Sequence, residues 1–209
     1  MAELAPPEVV TAGSPHFPSG HQRFQIAGIG VSGGSGGTPV IVGPSSFQRP
    51  HTYLGFTQTE TLARGHLWRL QSGAWVQTPL LDEGGSSERL ASIAADVNDD
   101  GVIVGAIAEP LEPWFGARWF IRPAYWLPGA GGYEAHLFAQ PDPACLGESS
   151  LGGVAWGVGP GTAPLVAGSA FRVCSATLPE AFAASLEGAP GTPPRMVPLH
   201  NGEFACTVE

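Results

Sequence analysis

The chain contains no lysine. Its nine basic residues are all arginine and stand against eighteen Asp and Glu, which leaves a formal net charge of −9. Arg23, Arg49, Arg64, Arg69, Arg89, Arg118, Arg122, Arg172 and Arg195 are scattered along the sequence. A phosphate-binding face needs clustered cations, so no nucleic-acid partner is expected, and acidic membranes are disfavoured for the same reason. Long apolar runs are also missing. The best candidate, Val102 to Ala108, is interrupted by Gly105 and falls far short of the ~18–20 residues that span a bilayer; no membrane insertion is expected. The N-terminal MAELAPPEVV has neither a basic region nor an apolar core of the secretory kind. The chain is then either not exported by that route or has had its signal removed.

Cysteine is scarce too. Cys145, Cys174 and Cys206 show no zinc spacing. Two readings remain open at this level: Cys145 closing a loop with Cys174, or three unpaired thiols acting as small hydrophobes. The six histidines, His16, His21, His51, His66, His136 and His200, include no H-E-x-x-H and no i, i+4 pair. No catalytic residue, no cofactor and no metal ligand set is assigned from the sequence.

Glycine and proline, by contrast, are abundant, with 30 Gly and 21 Pro, while 43% of the chain is apolar and only 13% charged. Gly and Pro at that density break helical windows. The apolar content and low charge argue against disorder. A turn-rich, all-β protein remains.

The organisation is repetitive. Val40-Ile41-Val42-Gly43 recurs as Val102-Ile103-Val104-Gly105 and as Leu165-Val166-Ala167-Gly168, at spacings of 62 and 63. Each run follows a turn: Gly33 to Gly37, Asn98-Asp99-Asp100-Gly101, and Gly159-Pro160-Gly161. Before each turn stands another apolar segment: Ile26 to Ile29, Ile93 to Val97, and Val154 to Val158. That is a β-hairpin pattern written three times. A second half follows, with His66-Leu67-Trp68, Ala124-Tyr125-Trp126 and Ala181-Phe182-Ala183 aligned on their central residues. A further strand-like piece then comes at Ala74 to Leu81, Tyr133 to Phe138 and Arg195 to Leu199.

The expected fold is therefore three four-stranded antiparallel repeat units, β-propeller-like, partial or completed by oligomerisation. The units span about 23–86, 87–149 and 150–209, in a single domain preceded by an extended N-terminal arm, 1–22. Pro44 to Thr61 and Ala106 to Phe115 read as long connections. Phe47, His51, Tyr53 and Phe56 in the first, and Trp114 and Phe115 in the second, are candidates for recognition or for capping the core.

The segment Ala95 to Gly105, followed by Ala124-Tyr125-Trp126-Leu127-Pro128-Gly129, resembles a unit of the bacterial extracellular HAF repeat family. That pattern reads roughly A-x-x-I-N-x-x-G-x-V-V-G, a spacer, then A-F-L-W-x-x-G. The likeness covers about residues 24–200, and only the middle unit is specific on its own. The resemblance implies a secreted or surface-exposed, propeller-like β protein and supplies no catalytic residues. The first unit departs from it by a glycine run, the third by Gly-Pro-Gly.

Several motifs admit sharper readings. Gly28 to Gly33 fits G-x-G-x-x-G, but Gly34 to Pro39 cannot start the helix that holds a pyrophosphate. Gly30 to Gly34 and Gly33 to Gly37 fit G-x-S-x-G and again lack the helix. Asp96, Asn98 and Asp100 with Gly101 and Ile103 reproduce the start of a calcium loop, although Ile107 stands where the bidentate acid belongs. Hairpin turns favour the same residues for conformational reasons, so calcium binding by these three stays open. Trp68 and Trp126, at equivalent repeat positions, suit packing between units better than sugar stacking. Glu109 with Glu112, or Asp82 with Glu83, form carboxylate pairs that nothing places across a cleft. The favoured function is a non-enzymatic extracellular or surface module for structure, self-assembly or binding, with a second copy, another protein or a glycan as partner. The alternative is a polysaccharide-active hydrolase or lyase on a propeller-like scaffold.

Overall fold

The computed structural model describes residues 30–32, 39–53, 56–80, 91–110, 119–130, 132–139, 151–172, 180–188 and 192–199. Among them there is no helix, and the strands form three antiparallel sheets in chain order. Sheet 1 holds β2 (Val40–Tyr53), β3 (Phe56–Gln71) and β4 (Ala74–Pro79), flanked by the three-residue β1 (Gly30–Ser32). Sheet 2 holds β5 (Ala91–Val97), β6 (Ile103–Pro110), β7 (Trp119–Gly129) and β8 (Gly132–Leu137). Sheet 3 holds β9 (Leu151–Val158), β10 (Leu165–Arg172), β11 (Glu180–Ser185) and β12 (Val197–Pro198). Every neighbour pairs with the next strand in sequence.

The glycine that ends the second and third short apolar runs has a steric cause. β5 bulges between Ala94 and Asp96, which brings the Ile93 carbonyl over β6. A Cβ on Gly105 would lie 1.8 Å from that carbonyl oxygen. Sheet 3 repeats the arrangement: β9 bulges at Trp156, and a Cβ on Gly168 would lie 2.5 Å from both the Val154 carbonyl and the Phe182 ring.

The register corrects two expectations. Residues 44–61 are no loose connection. β2 and β3 continue as one long hairpin, from Pro44 opposite Gly65 to Tyr53 opposite Phe56. Pro44 and Pro50 suggest a break, yet proline is tolerated where a strand lacks a second neighbour, and among the described residues β1 pairs only with Val40 to Val42. Likewise β6 runs on to Pro110. The third repeat aligns one residue away from the expected register. Ile41 pairs with Trp68, Ile103 with Trp126, and Val166 with Ala184. Ala184, not Ala183, thus holds the tryptophan position, and Phe182 matches His66 and Ala124. A one-residue slip reverses which face a side chain occupies, and Phe182 accordingly points back toward sheet 2.

Sheets 1 and 3 each pack on sheet 2. Val40, Val42, Leu67 and Leu80 meet Ala94, Ile103, Ile107, Ala124, Trp126 and Ala135 in one core. Val104, Tyr125 and Phe138 meet Ala155, Val166, Ala170, Phe182, Ala184 and Met196 in the other. Sheet 2 is buried on both faces, and the three sheets form an open stack that does not close into a ring among the described residues. The N-terminal arm, the three cysteines, Glu112, Asp82, Glu83, Trp114 and Phe115 lie outside the described residues.

Candidate functional site: a polar bracket and an open sheet face

Asp96, Asn98 and Asp100 come together at the β5–β6 hairpin, where they fasten sheet 2 to sheet 3. The turn over Asp99, Asp100 and Gly101 is closed by Asn98 N–H on the Val102 carbonyl, with Gly101 at a φ of 82°; glycine adopts that conformation without steric cost. The Oδ1 of Asn98 accepts from the Asp100 and Val102 amides, and its Nδ2 donates to the Gly159 and Gly161 carbonyls at 2.8 Å each. All four hydrogen-bonding capacities of this buried amide are used. Asp96 accepts from Val97 N–H through Oδ1 and from Val158 N–H through Oδ2. Asp100 Oδ2 accepts from Gly161 N–H. Of the residues that open a calcium-loop pattern, Asp96 and Asp100 therefore accept backbone N–H groups of the next repeat, while Asn98 donates to the carbonyls of its turn. Among the described residues no group of three His, Cys, Asp or Glu side chains is placed to hold a metal ion.

The other junction is fastened differently. Ser92 Oγ accepts from Gly65 N–H at 2.9 Å, and Arg69 Nη2 donates to the Tyr133 hydroxyl at 2.7 Å while its guanidinium lies over the ring. Burial raises the Tyr133 phenol above its usual pKa of 10, and Arg69 offsets part of that rise.

His66 is a packed residue. It is buried beside Trp68, with ring centroids 5.7 Å apart, and its Nδ1 lies 3.0 Å from the Arg64 carbonyl. Burial lowers its pKa to about 4, although the Arg64 carbonyl opposes the shift. Trp126 lies in the core between sheets 1 and 2. Trp68 is equally buried but sits on the far face of sheet 1. His136 stacks on Tyr125, with centroids 5.1 Å apart. Gly30 to Ser32, shared by the two glycine motifs, is strand β1.

The feature that sequence reasoning missed is the outer face of sheet 3. Three end-of-repeat residues make the same backbone hydrogen bond: Leu80 to Gly65, Phe138 to Pro123, and Leu199 to Ala181. Leu80 and Phe138 are 2% and 1% exposed against the next sheet; Leu199 is 64% exposed. Likewise Val40 and Val102 are 6% and 2% exposed, whereas Leu165 at the same repeat position is 68% exposed. Exposed Trp156 and Val197 share this face, and Trp156 is held by its Nε1 donating to Ser169 Oγ at 2.9 Å. The signal was available in the equivalence of Leu165 to Val40 and Val102, but only the strand register shows which way each side chain points.

Compared with known protein families, curated proteins and solved structures, the chain shows no match.

Proposed function

We propose that this chain is a non-enzymatic β-repeat module, propeller-like in the stacking of its units and related to the extracellular HAF repeats, which works by binding through the outer face of sheet 3. The observation that carries this reading is the exposure of Leu165 and Leu199 where the matching residues of the first two sheets are buried. Evenly dispersed exposed apolar residues need no explanation, but a contiguous apolar face marks an interaction site. Four of the large exposed apolar residues, Trp156, Leu165, Val197 and Leu199, lie on it. A surface or extracellular setting follows from the family resemblance, and a second copy, another protein or a glycan are the partner classes the reading allows.

A polysaccharide-active enzyme needs two titratable groups sharing one pocket. Asp96 and Asp100 instead accept backbone N–H groups. The test is light scattering at tens of micromolar together with a panel of neutral glycans, run on wild type and on Leu165→Glu. A larger mass or a retained glycan that is lost in the variant supports the reading. Release of reducing ends from a polysaccharide, undiminished in the variant, overturns it.

A further inference from the structure

We infer that the outer face of sheet 3 binds the same face of a second copy, giving a two-fold symmetric pair that continues the stack to six sheets. This rests on the binding role proposed for that face.

Three observations select the occupant. First, the face is built to receive a sheet. It holds the register positions that, on sheets 1 and 2, are already covered by the opposite face of the next sheet, so its side chains suit burial under a sheet, here the like face of a second copy. Second, the opposite end of the stack is not available as its partner. His66 and Trp68 on the outer face of sheet 1 are buried at 4% and 1% exposure, which disfavours head-to-tail addition. Third, the centre of the face carries no charge. Strand alternation places Val154, Leu165, Ala167, Ser169, Ala181, Ala183, Ser185 and Val197 on it, joined by Trp156 and Leu199, with the exposed Arg195 at its rim two residues before Val197. Two copies of a −9 chain can meet over that centre without apposing carboxylates.

The relief suits self-pairing. Paired Ala167 and Ala183 form a shallow centre, while Trp156, Leu165, Val197 and Leu199 stand around it, so the large side chains of one copy can lie over the alanines of the other. Four strands about 4.8 Å apart, averaging about six residues at about 3.3 Å each, present roughly 400 Å² per copy. The roughly 800 Å² in the pair lies below the ~1,200 Å² of stable specific interfaces and in the range of transient ones, so the pair is expected to be weak and concentration-dependent.

The test is a charge exchange at the centre of the face. Ala167 is exposed, so Ala167→Asp and Ala167→Arg should fold, as unchanged melting curves would verify. Sedimentation equilibrium is expected to show reversible dimers for wild type, dimerisation weakened about tenfold or more in each variant alone, and dimers recovered on mixing the two. Recovery on mixing is peculiar to a face that meets its own copy. A mixture that stays monomeric, or wild type that remains monomeric at hundreds of micromolar, overturns the symmetric pair. If glycan retention sensitive to Leu165→Glu persists in that case, the binding role of the face stands and only the choice of occupant fails.

Discussion

The side-chain amide of Asn98 holds the carbonyl oxygen of Gly161, 63 positions further along the chain, at 2.8 Å. That bond joins the hairpin turns of two successive repeats, so their near-constant spacing becomes direct physical contact. Sheet 2 supplies the side chains and sheet 3 supplies the backbone. At the matching positions sheet 3 carries Gly157 and Gly159, which have no side chains to offer a following unit. The third repeat receives this bracket and does not pass it on.

Replacement of Asn98 tests the bracket. Asn98→Ala removes four hydrogen bonds, one buried and three partly buried, and leaves the Val102 amide without its acceptor; it is expected to cost about 2–3 kcal/mol. For a chain of this size that is roughly 4–12 °C in Tm. Asn98→Asp should be worse at neutral pH, because a carboxylate would then face two carbonyl oxygens. Thermal melts of both variants decide the order; Asn98→Asp matching wild type would contradict the assignment.

Calcium should have little to act on. Both oxygens of Asp96 and the Oδ2 of Asp100 accept from backbone amides, and a bound cation would displace those donors. A millimolar calcium titration is expected to leave Tm unchanged, whereas a saturable rise of several degrees would show that the turn opens to coordinate metal.

His66 predicts a pH window. The unfolded chain titrates near 6.5 and the folded one near 4, so between these values unfolding takes up a proton that the native state excludes. Its contribution is complete above about pH 7 and is lost as the pH falls from 6.5 towards 4, by about 3 kcal/mol in all. The difference between wild type and His66→Gln, followed by denaturant unfolding across this range, isolates it from the carboxylates. A gap independent of pH would contradict the buried neutral imidazole.

Gly105 is expected to tolerate no side chain. With the Ile93 carbonyl oxygen 1.8 Å from where a Cβ would stand, Gly105→Ala forces β5 off β6 at its bulge. A loss beyond about 3 kcal/mol is anticipated. Gly73→Ala, at a turn with open space around it, serves as the mild comparison, costing only its positive-φ strain of about 1 kcal/mol. Equal losses in the two would show that crowding at the bulge is not the cause.

The order of strands was legible because short apolar runs, glycine turns and a repeat near sixty residues reinforce one another, as the hairpin around Asn98 to Gly101 illustrates. The long β2–β3 hairpin was hidden by Pro44 and Pro50, which pair within it opposite Gly65 and Thr59 and, among the described residues, have no second strand beside them. In the third repeat, Ala181-Phe182-Ala183 offers a single large residue between two alanines, so pattern alone cannot fix the register. The pairing of Gly168 with Phe182 does. The Asp96, Asn98 and Asp100 spacing was visible, but its meaning depends on contacts 61–63 residues away. Local sequence carries no trace of those contacts.

If the stack ends in a sheet face that a partner covers, the state of Leu199 shows it most directly. Hydrogen exchange of the β11–β12 segment, read as a function of protein concentration, should show protection around Leu199 rising with concentration in wild type and staying flat in Leu165→Glu. Exchange that is independent of concentration, with mass constant at one copy and no bound partner or glycan altering it, would contradict the account.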